Sequence, residues 1–124
     1  MIFITDRMEL EMEIHDKSWG YEKWIVNKKE YCGKLLFFKK GKHCSFHYHK
    51  IKDEVFYLQS GSIIVRYSNE DNLEESKKMI MEPGDTFHVS IGLRHQMLAI
   101  EDSELFEFST QHFEDDSYRI IKGD

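Results

Sequence analysis

Three residues of metal-binding type lie close together near the middle of the sequence: His47, His49 and Glu54. Side chains two residues apart on a β-strand point to the same face, so a strand here would place both histidines on one face. The four residues between His49 and Glu54 are enough for a turn into a second strand. An antiparallel pair would then direct all three side chains at one point. Imidazole nitrogens and a carboxylate grouped in this way suit a divalent first-row metal ion.

A fourth candidate ligand is His95, which follows Pro83, Gly84 and Gly92 at the place where a second pair of strands would end. With it the set contains three imidazoles and one carboxylate, and this number leaves positions open on a five- or six-coordinate ion for water or substrate. A single histidine is better explained as a polar packing residue, but the four residues together favour metal binding. The predicted cofactor is one divalent metal ion, and the donor set fits Zn, Mn, Fe or Ni.

Length and composition favour one soluble domain over residues 1–124. Hydrophobic residues make up 40% of the chain and charged residues 32%, as in globular proteins. The net charge of -6 argues against general binding to nucleic acid. No apolar segment approaches the ~20 residues that span a bilayer, and no basic leader begins the sequence, so we expect no membrane association and a cytoplasmic location.

Short segments with a period of two, separated by turn signals, predict an all-β sandwich or barrel. The opening segment, residues 7–14, alternates polar and apolar residues and predicts a strand that pairs with a second subunit in a homodimer. A turn is predicted over residues 16–20. Further strands are predicted over residues 21–26, 31–38, 44–49, 54–59, 63–67, 77–82, 86–90, 96–100, 104–110 and 117–121. Cys32 and Cys44 are predicted to be buried free thiols, since two cysteines are too few for a disulfide framework.

The spacing of glycines, histidines and glutamate resembles the paired motifs of the cupin superfamily. The first motif is matched by Gly41, His47, His49, Glu54 and Gly61, and the second by Gly84, Gly92 and His95. The resemblance implies a double-stranded β-helix, the small jelly-roll barrel, with the metal inside the barrel mouth.

Both ends of the chain add a narrower resemblance. The segment SWGYE at residues 18–22, the segment EFST at residues 107–110 and the acidic ending with Arg119 resemble the isomerase-type cupin domain of bifunctional mannose-6-phosphate isomerases. This resemblance implies aldose–ketose isomerisation of a small-molecule sugar or sugar phosphate, in which the metal polarises a carbonyl and a base moves a proton. The candidate bases are Glu107 and His88. Lys52, Arg94 and Arg119 are the candidate substrate-binding residues, because they offer positive charge to a phosphate.

Other interpretations stay open at this point. The same ligands resemble those of metal-dependent cupin dioxygenases, and a non-catalytic sugar-binding cupin would also need them. Arg119 either binds substrate or pairs with the acidic run at residues 114–116. His88 either supports a ligand or proton transfer, or only packs. The aromatic residues near the start either form core and interface contacts or stack on a sugar; they are Trp19, Tyr21 and Trp24.

Overall fold

The computed structural model describes residues 12–123. This part of the chain consists of β-strands and contains no helix, which confirms the predicted all-β class. None of the described residues lies in a helix long and apolar enough to cross a membrane. The strands are β1 (Glu13–Lys17), β2 (Gly20–Asn27), β3 (Cys32–Phe38), β4 (Phe46–Tyr48), β5 (Glu54–Ser60), β6 (Ile63–Ser68), β7 (Lys77–Met81), β8 (Thr86–Val89), β9 (Arg94–Ala99), β10 (Ser103–Ser109) and β11 (Tyr118–Ile121).

Two antiparallel sheets form a jelly-roll barrel, as predicted. One sheet has the order β1-β2-β3-β10-β5-β8, and the other has the order β11-β4-β9-β6-β7. Strands that are distant in sequence are therefore neighbours in space, and β10 lies between β3 and β5. Alternation along each strand turns one set of side chains inward, so that the two inner faces share a core. The core residues are Trp19, Leu36, Phe38, Cys44, Phe56, Leu58, Ile63, Val65, Met81, Val89, Met97, Ala99 and Leu105.

The start of the described chain differs from the sequence prediction. Residues 7–11 of the predicted opening strand lie outside the described residues, and the homodimer stays a prediction. The turn expected over residues 16–20 is shorter, because the ladder between β1 and β2 continues to the pair Lys17 and Gly20. Gly20 has a φ of 150°, and a Cβ there would overlap the carbonyl of Phe37, so this position requires glycine.

Strand β9 begins at Arg94, two residues earlier than predicted, because Arg94 already pairs with Ser68 of β6. This extension matters for the site. It places His95 within a strand, directly opposite His47 of β4. The cysteine prediction is confirmed, since Cys32 and Cys44 are both free and buried.

Candidate metal centre

Three of the four predicted ligands come from one sheet and the loop beside it. His47 and His95 face each other across β4 and β9, with ring centroids 4.4 Å apart. His49 follows β4 directly, and its ring centroid lies 5.1 Å from that of His47 and 5.7 Å from that of His95. One potential ligand atom from each ring lies within 4.8 Å of the others. The three histidines therefore form a group that suits a metal ion.

Backbone carbonyls fix the orientation of all three rings. The Nδ1 atoms of His47, His49 and His95 lie 3.0 Å, 2.6 Å and 3.0 Å from the carbonyl oxygens of Ser45, Asp116 and Leu93. A carbonyl oxygen only accepts, so each Nδ1 carries the proton and donates it. Each Nε2 is then left with a lone pair for an ion, which is the arrangement seen around metal-binding histidines. Burial and the neighbouring His95 and His49 rings hold the pKa of His47 well below its usual value, so its ring is neutral.

Glu54 comes from the opposite sheet and completes the set. It is the first residue of β5 and is 1% exposed. Its Oε2 lies 3.4 Å from Nε2 of His49 and 3.3 Å from Nε2 of His95. Among the described residues, no donor forms a hydrogen bond with this buried oxygen. A carboxylate oxygen that faces two nitrogen lone pairs is repelled unless a cation lies between them, so the donor set fits a divalent ion.

The charge of Glu54 is maintained by Lys52, whose Nζ lies 3.1 Å from Oε1. Burial by itself would raise the pKa of Glu54, but the Lys52 ammonium holds it well below its usual range. Burial would likewise lower the pKa of Lys52, and the carboxylates of Glu107 and Glu54 raise it instead. Lys52 is therefore an ammonium bound between two carboxylates, with little charge left for a substrate phosphate.

The two candidate bases lie on opposite sides of the barrel wall. Glu107 lies on β10, is 4% exposed and lines the cavity beside the histidines. Its Oε2 accepts hydrogen bonds from Lys52 Nζ at 3.1 Å and from Ser109 Oγ at 3.0 Å. His88 lies on the outer face of β8, where its side chain is 58% exposed and its Nε2 is 2.7 Å from Asp53. The structure brings Glu107 to the metal centre and keeps His88 away from it.

The two predicted arginines also differ in position. Arg94 donates from Nε to Asp71 at 2.8 Å and lies 3.9 Å from the centre of the Tyr48 ring, at the surface. The backbone of Arg119 on β11 pairs with that of His47 on β4, and the Arg119 side chain lines the cavity. Among the described residues it forms no ion pair with the acidic run at residues 114–116. Asp116 of that run is buried and instead accepts backbone N–H groups of the loop at residues 50–52.

Several residues that the sequence analysis did not assign also line this cavity of about 130 Å³. His112 lies with Nδ1 3.1 Å from Lys52 Nζ. Burial and the charges of Lys52 and Lys34 lower its pKa to about 3, so its ring is neutral and accepts from the ammonium. Another part of the wall is formed by Lys34 and by Trp24, for which the sequence left core contacts and sugar stacking open. Trp19 lies in the core, where it stacks on Phe38 at 4.1 Å.

The fold is shared with solved structures of low sequence identity. CapF, a capsular polysaccharide assembling protein from Staphylococcus aureus, matches 92% of this chain with 16% identity and a TM-score of 0.77. Oxalate decarboxylase from Bacillus subtilis matches 88% with 20% identity and a TM-score of 0.77. KdgF from Halomonas sp. matches 77% with 22% identity and a TM-score of 0.66.

The matched lengths differ among these proteins. The chain spans 35% of CapF and 30% of oxalate decarboxylase, but 81% of KdgF. No curated protein matches the sequence significantly. The narrower resemblance to mannose-6-phosphate isomerases therefore stays a prediction.

A family model, the cupin domain, matches residues 34–108. This match covers more than half of the sequence and includes both motifs, and the chain belongs to the cupin domain family.

Proposed function

We propose that this protein is a metal-dependent enzyme that acts on a sugar or sugar phosphate as an aldose–ketose isomerase. The observation that carries the proposal is the position of Glu54 Oε2, buried without a hydrogen-bond donor against the Nε2 atoms of His49 and His95. An ion held by these residues and His47 would act as a Lewis acid on a carbonyl and increase the acidity of the neighbouring C–H group.

Glu107 is the residue that would move the proton. Both of its hydrogen bonds, from Lys52 and Ser109, go to Oε2. None of the described residues forms a hydrogen bond with Oε1, so this oxygen is left to take a proton from a ligand in the cavity. Lys52 bridges Glu107 and Glu54 at 3.1 Å each. The base and the metal ligand are thereby held by one ammonium group at a fixed separation.

The experiment that tests this proposal is proton exchange in deuterated water. Protein loaded with Zn, Mn, Fe or Ni would be incubated with hexoses and hexose phosphates, and NMR would follow deuterium at C2 and the formation of the ketose. We expect exchange with the wild type and a loss of at least about 100-fold with Glu107→Gln, because the base is removed. Glu104→Gln is the matched control, since Glu104 lies on the same strand and is held on the outer face by Ser60.

Other outcomes would replace the proposal by one of its rivals. Oxygen consumption that depends on a bound ligand would identify a dioxygenase, because the same donor set also supports that chemistry. Ligand binding without deuterium exchange would identify a sugar-binding protein. Full turnover by Glu107→Gln with metal bound would remove Glu107 from the role of base.

A further inference from the structure

The outer face of the six-stranded sheet carries large apolar side chains, although it points away from the core. On β3, alternation turns Lys34 into the barrel and turns Leu35 and Phe37 outward. On β10, it turns Phe106 and Phe108 outward in the same way. These two strands are neighbours in the middle of the sheet. The centre of the outer face is therefore apolar, where a solvated sheet face would carry polar residues.

The strand register joins these side chains into one continuous surface. Phe106 lies between Leu35 of β3 and Tyr57 of β5. Phe108, one pleat further along β10, lies beside Val55 of β5 and is 55% exposed. An exposed patch of contiguous apolar side chains marks an interaction site. We name this surface the aromatic face; its residues are Tyr21, Leu35, Phe37, Val55, Tyr57, Phe106 and Phe108.

Charged side chains lie at the margin of the aromatic face. Lys23 of β2 lies beside Leu35, and Glu104 of β10 lies beside Phe37. Aromatic residues at the centre and charges at the rim are typical of protein–protein interfaces. The rim carries both signs, so the face is complementary to itself. A two-fold axis that runs between Lys23 and Glu104 exchanges their positions and places each of them opposite the other in a second copy.

The aromatic face is also large enough for a dimer. The strands β2, β3, β10 and β5 have seven or eight residues each, and the shorter β8 adds to one side. Strand spacings of about 4.8 Å and about 3.4 Å per residue give roughly 500 Å² of flat area per copy, or roughly 1,000 Å² in a dimer. Projecting side chains make the accessible area larger, so the face reaches the size of a specific interface, about 1,000 Å².

We propose that the aromatic face packs against the same face of a second copy, so that the protein is a two-fold symmetric homodimer. This surface differs from the opening segment, residues 7–14, on which the sequence-based prediction of a homodimer rested. It lies behind the candidate metal centre, on the outer side of the strands that carry Glu54 and Glu107. The proposal does not depend on the reaction that the centre supports.

Sedimentation velocity of the full-length chain tests this proposal. We expect the wild type to have twice the chain mass of 14.9 kDa at micromolar concentration. Phe108→Glu should raise the dissociation constant of the dimer by at least about 100-fold, because it buries an unpaired charge at the centre of an apolar contact. Circular dichroism and metal content should match those of the wild type.

Two further variants make the result specific. Ile80→Glu is the matched control, because Ile80 is 56% exposed but lies on β7 of the other sheet. It should leave the dissociation constant unchanged. Val55→Glu places the same charge beside Phe108 on the neighbouring strand. It should also dissociate the dimer, and it gives a second test if Phe108→Glu folds poorly.

Three results would overturn the proposal. The first is a wild type with the mass of a single chain even at about 100 μM, since a specific interface of this size should form at that concentration. The second is a dimer that both Phe108→Glu and Val55→Glu retain, since another surface, such as the opening segment, would then hold the two copies. The third is dissociation by Ile80→Glu to the same extent as by Phe108→Glu.

Discussion

Lys52 holds one carboxylate oxygen of Glu54 and leaves the other to the histidine rings. Its Nζ lies 3.1 Å from Oε1, whereas Oε2 faces the Nε2 atoms of His49 and His95. The ammonium thus keeps Glu54 ionised inside the barrel and also selects which oxygen an ion would meet. Lys52 is therefore a positioning residue of the candidate metal centre.

The first prediction follows from this pairing. Lys52→Met removes the ammonium and leaves Glu54 and Glu107 buried without their counter-ion. We expect the metal-free protein to lose roughly 3–5 kcal/mol of unfolding free energy, as in other broken buried ion pairs. Urea unfolding in the presence of chelator would measure the loss.

The control for this variant is Lys50→Met. Lys50 is exposed and lies 4.3 Å from the Tyr118 ring centre, so its loss should cost less than about 1 kcal/mol. Losses of similar size in the two variants would show that Lys52 has no special role in holding the two carboxylates.

The second prediction concerns pH. In the fold the pKa of His112 is about 3, below its ordinary value of 6.5, and that of His47 is also well below 6.5. Protonation therefore favours the unfolded chain. The stability of the metal-free protein should be greatest above pH 6.5 and fall as the pH decreases below it, by up to about 1.4 kcal/mol per pH unit for each proton taken up.

Unfolding free energies at pH 7.5, 6.5 and 5.5 with chelator would measure this slope. His112→Gln should give a shallower slope than the wild type, because one of the groups that bind a proton on unfolding is missing. An unchanged slope in His112→Gln would mean that His112 does not take up a proton on unfolding in this range.

The third prediction concerns Asp116. Its carboxylate accepts the N–H groups of Lys50 at 2.9 Å and of Lys52 at 3.0 Å, and its carbonyl accepts from His49 Nδ1 at 2.6 Å. Asp116→Ala keeps this carbonyl but should leave the N–H groups of Lys50 and Lys52 without partners, which costs about 1–3 kcal/mol. Because the segment that carries the carbonyl is then no longer tied to the loop of His49, metal binding should weaken by about tenfold. Chemical unfolding and metal titration would measure both effects. Asp115→Ala, at an exposed neighbouring position, should change neither, and equal effects of the two variants would contradict this role.

Much of the centre was predictable because strand alternation is local. A period of two puts His47 and His49 on one face, and the short connection brings Glu54 to the same point. The same alternation explains His88, which lies between Phe87 and the buried Val89 and so points outward. The alternation also predicts that Lys34 is buried, because it lies on the same face of β3 as Cys32 and Leu36.

The remaining features depend on contacts between distant segments. Glu107 binds Lys52 across 55 positions, and Asp116 binds the backbone of Lys52 across 64. No local pattern contains such information, and the sequence therefore predicted that Lys52 binds a phosphate, whereas it binds two glutamates in the fold. His112 lies in a loop without periodicity, and only the folded chain places it beside Trp24.

The central claim is that His47, His49, His95 and Glu54 hold one divalent ion, and metal content combined with melting temperature tests it most directly. The wild type and the control His88→Ala should bind about one equivalent by mass spectrometry and melt at a higher temperature with metal than with chelator. His47→Ala and His95→Ala should lose the ion and melt below the wild type only when metal is present. An equal decrease in melting temperature with chelator, or one equivalent of metal still bound by both variants, would contradict the claim.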